Sequence, residues 1–131
     1  MAISQRIAPD TVAPPVGPYS HGMLTQGAGR WLHVAGQIGT DRTGQLAQGF
    51  EAQAHQAWTN LVGVLQAAGM DASHLVKVTT YLTDAADLPK LGAVRASYLG
   101  TARPASTLVV AAALAHPDWC FEVEAVAFLP G

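Results

Sequence analysis

From Phe50 to Ala68 the apolar residues Phe50, Ala54, Ala57, Trp58, Leu61, Leu65 and Ala68 recur at three- and four-residue spacing. That spacing predicts an amphipathic helix, with Gly69 closing its C-terminus. A second helix is predicted over Asp84 to Leu99: Asp84 or Asp87 can cap it, Pro89 suits its first turn, and Gly100 ends it. Elsewhere the pattern shortens to that of strands. His21 to Gln26 and Trp31 to Gln37 read as two strands joined by the glycine-rich hairpin loop Gly27-Ala28-Gly29-Arg30. Leu75 to Leu82, rich in Val, Thr and Tyr, reads as another. Arg103 to Val110 and Trp119 to Phe128 flank a turn at Ala115-His116-Pro117-Asp118 and read as a C-terminal hairpin. Met1 to Val12 has little periodicity and reads as a short strand or an extended arm.

The predicted order is β-β-α-β-α-β-β, in one domain over 1–131, a mixed sheet with both helices on one face. Ser106 to Leu114 is nevertheless apolar on both faces. The face that the helices leave bare must meet another protein surface, and a second copy of the chain is the expected one.

Composition narrows the partners. The net charge of −2 disfavours a phosphate backbone as ligand, and only 12% of the 131 residues are charged while 50% are hydrophobic. Cys120 is the only cysteine, which excludes an internal disulfide and fits a reducing compartment. No N-terminal signal peptide is recognisable and no apolar run is long enough for a membrane span, so a cytoplasmic protein is expected. The five histidines lack ligand spacing, so no metal site is expected.

Candidate chemistry concentrates in three places. Glu122 and Glu124 share one face of an otherwise apolar strand, where a carboxylate must find a partner or shift its pKa upward. Gly36, lacking a side chain, allows a ligand or another backbone to come close. Tyr19 follows the stiff segment Ala13-Pro14-Pro15-Val16-Gly17-Pro18, which would hold it in a fixed place. The plainer alternatives are that Glu122 pairs with Lys77, Tyr19 packs as an ordinary aromatic, and Glu124 is structural.

Gly17-Pro18-Tyr19-Ser20, Val34-Ala35-Gly36-Gln37-Ile38, Ala67-Ala68-Gly69, Val76 to Leu82, Arg103-Pro104-Ala105 and Glu122 to Ala127 together resemble the RidA/YjgF family of reactive intermediate deaminases. The resemblance runs from about Ala13 to Phe128 in the family's order. It implies a chorismate-mutase-like α+β subunit, a cytoplasmic homotrimer with clefts between subunits, and no cofactor. Its best-known members hydrolyse enamines and imines such as 2-aminoacrylate; some homologues were described as ribonucleases or translation inhibitors.

Carried over position by position, the resemblance makes Glu122 the catalytic glutamate and keeps Tyr19 and the Gly36-Gln37 turn. It departs elsewhere. Family deaminases have Pro-Ala-Arg, whose arginine holds the substrate carboxylate; here that arginine is Ser106. Leu108 stands for the family's cysteine, Gly92 for its asparagine and Ala35 for its serine. The implied substrate-binding positions are therefore Gly36, Ser106, Leu108, Ala35 and Gly92. A buried arginine–carboxylate contact contributes about 1.5–3 kcal/mol, so its loss implies a roughly tenfold to hundredfold penalty for amino-acid-derived imines. Weak or absent 2-aminoacrylate deaminase activity is the expectation, with Arg103 or Arg95 from a neighbouring subunit as candidate replacements for the clamp. The alternatives are a metabolite-binding trimer without turnover and an RNA-acting protein.

Overall fold

The computed structural model describes residues 3–131. Its strands are β1 (Ile3–Ile7), β2 (Gly22–Gln26), β3 (Gly29–Ile38), β4 (Leu75–Leu82), β5 (Ala105–Val110) and β6 (Phe121–Pro130), and its helices are α1 (Phe50–Ala67) and α2 (Leu88–Leu99). The fold is α+β, with a four-stranded mixed sheet in the order β3-β6-β4-β5 and a separate two-stranded sheet of β1 and β2. The N-terminal stretch thus forms a strand; the Met1 and Ala2 part of that expectation lies outside the described residues.

Both helices lie on one face of the large sheet. Phe50, Ala54, Ala57, Trp58, Leu61 and Leu65, the positions that the spacing selects, all point inward. They meet Val78 and Leu82 of β4 and Val123, Ala125 and Ala127 of β6 in one buried cluster, joined by Leu91 and Val94 of α2. Asp84 caps a short 3₁₀ turn, accepting from the Ala86 amide at 2.9 Å, and α2 follows with Pro89 in its first turn and Gly100 at its end.

Neither predicted hairpin forms. β2 pairs antiparallel with β1, while β3 pairs with β6 from Gly29–Pro130 to Ile38–Glu122. At the C-terminus β4 lies between β5 and β6. The reason is the α2 crossover, which returns β5 parallel to β4 on its outer side. β5 ends at Val110, short of Leu114, and the ten residues from Ala111 to Cys120 carry the chain past β4 to its other side. A turn motif between two apolar runs does not specify adjacency when the intervening segment is long enough to span a strand.

Register then decides which side chains share a face. Residues opposite one another point the same way, and alternate residues along a strand point to opposite faces. Ser106 is opposite Val78, which is buried under the helices. Glu122 is opposite Tyr81, three residues further along β4 and therefore on the face away from the helices. Ser106 and Glu122 of one chain lie on opposite sides of the sheet.

Candidate active site

Glu122 is held at the side of the sheet where β3 bulges. Between Val34 and Gln37 the register against β6 slips, so that Ala35 and Gly36 together face Glu124. Such a bulge re-aims local side chains. Here it lays Gly36 directly beneath the Glu122 carboxylate: a Cβ on Gly36 would collide with Oε2 and lie 2.9 Å from Cδ. The backbone at Ala35 is tied by the Gln37 Nε2, which donates to the Ala35 carbonyl at 3.1 Å.

Two polar side chains of α1 pin the strand ends beside this point. Asn60 donates to the carbonyls of Ile38 and Thr40, at 3.1 and 2.8 Å. Buried Gln53 donates to the Asp118 carbonyl and accepts from the Cys120 amide, both at 3.0 Å. The turn from β3 and the entry to β6 are therefore both referenced to one rigid helix. Sequence reading did not single out Gln53 or Asn60; a polar residue inside an otherwise apolar helical stripe, as Gln53 is beside Ala54 and Ala57, was the available signal.

Glu122 is half-buried and makes no hydrogen bond or ion pair among the described residues. Lys77, its suggested partner, donates instead to the Thr107 hydroxyl at 2.7 Å. Burial pushes the Glu122 carboxyl above its ordinary value, and the neighbouring Glu124 pushes it further in the same direction. Glu124 is itself engaged, accepting the Tyr81 hydroxyl at 2.5 Å, a bond that raises the Tyr81 pKa. One carboxylate is satisfied and the other left free to titrate. That division suits a proton-transfer group.

A second group of residues lies at β5. The helices do not cover this edge strand, and a cavity of about 280 Å³ opens there, lined by Val16, Gly17, Tyr19, Arg95, Ser106 and Leu108. Tyr19 reaches it because its segment is laced to the start of β5. Ser20 donates its amide to the Pro104 carbonyl at 3.1 Å and its hydroxyl to the Arg103 carbonyl, and bridges to Ala105. His21 stabilises the same loop by donating from Nε2 to the Ala13 carbonyl at 2.5 Å.

The structure thus gathers Tyr19, Ser106 and Leu108 in one place and Glu122, Gly36 and Ala35 in another. Gly92 joins neither: it is exposed on α2 with open space beside it, one turn before Arg95. Arg103, one candidate replacement for the missing arginine, spends Nη1 on the Gly100 and Ala102 carbonyls at 2.9 and 2.8 Å. Cys120 is kept protonated, its thiol pKa raised chiefly by burial, which makes it a poor nucleophile. Among the described residues no three His, Cys, Asp or Glu side chains are grouped for a metal, and no helix is long and apolar enough to cross a membrane.

Comparison with known proteins accounts for nearly all of the chain. The family model described as Endoribonuclease L-PSP matches residues 10–129. A RutC family protein of Pyrococcus horikoshii is 38% identical over 116 residues, spanning 87% of this chain and 89% of that protein. The 2-iminobutanoate/2-iminopropanoate deaminase of Bos taurus is 37% identical over 114 residues, 86% of this chain and 80% of that one. Among solved structures, the Rid family protein YyfB of Yersinia pestis superposes with a TM-score of 0.86 at 34% identity, over 96% of this chain and 98% of that chain. RidA of an Antarctic Psychrobacter gives 0.73 at 32% identity, over 95% and 99%. The extent of these matches, on top of the shared α+β architecture, makes this chain a member of the RidA/YjgF (Rid) family.

Proposed function

We propose that this protein is a Rid-type hydrolase that acts on a small imine or enamine, with Glu122 as its proton-transfer group. The observation that carries this reading is the half-buried Glu122 carboxylate, without a partner among the described residues, standing over the one backbone position that has no side chain to obstruct it. An enamine first takes a proton on carbon to become the imine. The ionised carboxylate removes a proton from water as that water attacks the C=N carbon and returns it to nitrogen; it then takes the hydroxyl proton of the resulting carbinolamine and passes that to nitrogen as well. The C–N bond breaks, and ammonia leaves with a carbonyl compound as the second product.

The complete site needs more than one chain. Glu122 and the Tyr19 cavity lie on opposite sides of one sheet, so the working cleft is proposed to form where the Glu122 face of one subunit meets the β5 edge of the next, in a closed homotrimer. The exposed Leu108, Val109, Val110 and Trp31 give that contact its apolar surface. Tyr19 supplies a hydrogen-bond donor or a stacking wall, and the backbone near Gly36 and Leu108 supplies N–H groups to the substrate. The reaction draws on no cofactor in this reading, and its site is cytoplasmic.

Ser106 sets the expected limit on the usual substrate. Its single neutral hydroxyl replaces a guanidinium, and hydrolysis of 2-aminoacrylate is expected to be slow for that reason. The test is ammonia release from freshly generated 2-aminoacrylate and 2-iminobutanoate, with the wild type and Glu122→Gln side by side. Turnover that collapses in Glu122→Gln supports the hydrolase. Rates no faster than spontaneous hydrolysis in either protein, on every imine tried, would leave a ligand-binding trimer without chemistry, and equal rates above it would remove Glu122 from the mechanism.

A further inference from the structure

Arg95 lines the cavity beside β5, and among the described residues no hydrogen bond or ion pair is assigned to its guanidinium. Arg95 projects from α2 between Val94, which is core, and the exposed Ala96, so its side chain leaves the helix at the border of the buried face. It is half-buried, and its Nε atom is shielded from solvent yet has no hydrogen-bond partner. The salt bridges among the described residues are His74–Asp71 and Lys90–Asp87, and neither involves Arg95. Among the described residues, no acidic side chain of the same chain lines the cavity. Burial alone lowers the Arg95 pKa, with no carboxylate acting against it.

A buried-edge guanidinium without an anion is an unfinished arrangement. It has given up part of its hydration, holds five donors in a fixed planar fork, and has at least one of them unmet. Tyr19 and Ser106, each bearing a hydroxyl, line the same 280 Å³ space together with the apolar Val16 and Leu108. A lining that mixes hydrogen-bonding and apolar residues, around a volume near the small end of ligand sites, fits a small organic acid. The planar fork matches the two oxygens of a carboxylate.

We infer that Arg95 is the carboxylate-holding residue of this cleft, binding an imino or oxo acid from helix α2 where Ser106 cannot bind it from β5. The inference deepens the hydrolase reading and rests on it for the identity of the acid. It also separates binding from turnover. An arginine rising from α2 holds the carboxylate in a different place from one rising at position 106, and displacement of the reacting carbon by about 1 Å is enough to slow the chemistry about a hundredfold. Good affinity for the acid and slow hydrolysis of 2-aminoacrylate are then compatible.

The test is calorimetric or NMR titration of the intact protein with 2-oxobutanoate and with the neutral 2-oxobutanamide. The proteins compared are the wild type, Arg95→Met and Arg95→Lys. The expected result is a loss of about tenfold to hundredfold in 2-oxobutanoate affinity in Arg95→Met. Arg95→Lys should recover part of it, and the amide should bind all three alike. Unchanged 2-oxobutanoate affinity in Arg95→Met, or no binding of 2-oxobutanoate to the wild type, overturns the inference. A circular dichroism melt confirms that Arg95→Met is folded; if it is not, Arg95→Lys carries the comparison, since only loss of the fork distinguishes it. Arg95-dependent binding without any imine turnover would instead retain the clamp and remove the hydrolase.

Discussion

The Glu122 carboxylate fills the space in which any other residue at position 36 would place its Cβ. Gly36 is exposed and its φ is not positive, so alanine suits its backbone; the obstacle is the carboxylate alone. Gly36→Ala is therefore expected to lower turnover at least tenfold by turning Glu122 aside, while the melting temperature moves by no more than a few degrees. Paired kinetic and melting measurements check this. A fully active Gly36→Ala would show that Glu122 does not work from the position described.

Acid should affect stability and activity through Glu122 in opposite directions. Its carboxyl is pushed above the ordinary 4.5, first by burial and then by Glu124. A carboxyl with a raised folded-state pKa favours folding in its protonated form. That contribution is complete below 4.5 and disappears as pH rises through the folded-state value. Glu122→Gln imitates the protonated acid, so it should melt above the wild type at neutral pH, with the two converging as pH falls below 4.5. In the proposed mechanism turnover uses the ionised carboxylate, so it should fall on acidification at a pH above 4.5. Melting curves and a kcat/KM profile across pH 3.5–8 decide it, and a break at or below the ordinary value contradicts the assignment.

Gln53 holds the entry to β6, donating to Asp118 and accepting from Cys120. Gln53→Ala leaves the Asp118 carbonyl and the half-buried Cys120 amide without these partners, at a cost of about 0.5–1.5 kcal/mol per bond in urea unfolding. Because Phe121 and Glu122 follow directly, kcat should fall more than KM rises. Gln53→Glu buries a carboxylate against the Asp118 carbonyl, so at neutral pH it should be at least as destabilising as Gln53→Ala and recover stability on acidification.

Gly39 is buried where β3 turns away under α1. A Cβ there would stand 2.5 Å from the Gln53 Cα and 2.8 Å from its carbonyl oxygen, both main-chain atoms that cannot rotate aside. Gly39→Ala should destabilise by about 1–3 kcal/mol as α1 is pushed from the sheet. Equal stability of Gly39→Ala and wild type would mean that the helix–sheet spacing is looser than the structure has it.

The helices were legible in the chain because their signal is local. Phe50, Ala54, Trp58, Leu61 and Leu65 repeat with the turn of a helix, and each is buried. Strand partnership is different in kind. Nothing within Trp119 to Phe128 states that β4, forty residues earlier, will separate it from β5; the crossover through α2 does that, and it is a property of the whole chain. The same applies to the site. Gly36 and Glu122 were legible as types of residue in telling positions, but their contact depends on the slip in register at Ala35. Arg95 was legible only as a candidate, because its consequence depends on which way one residue at the edge of a helix face turns.

The sheet that separates Ser106 from Glu122 makes the two halves of the proposed cleft separable by genetics. A preparation carrying Glu122→Gln and one carrying a disabled Tyr19 cavity should each be inactive. Unfolded together and refolded as a mixture, they would form, if the proposed homotrimer is the assembly, rings in which an intact glutamate from one parent adjoins an intact cavity from the other. Two dead proteins would then recover part of the wild-type rate, up to one working cleft in each mixed ring.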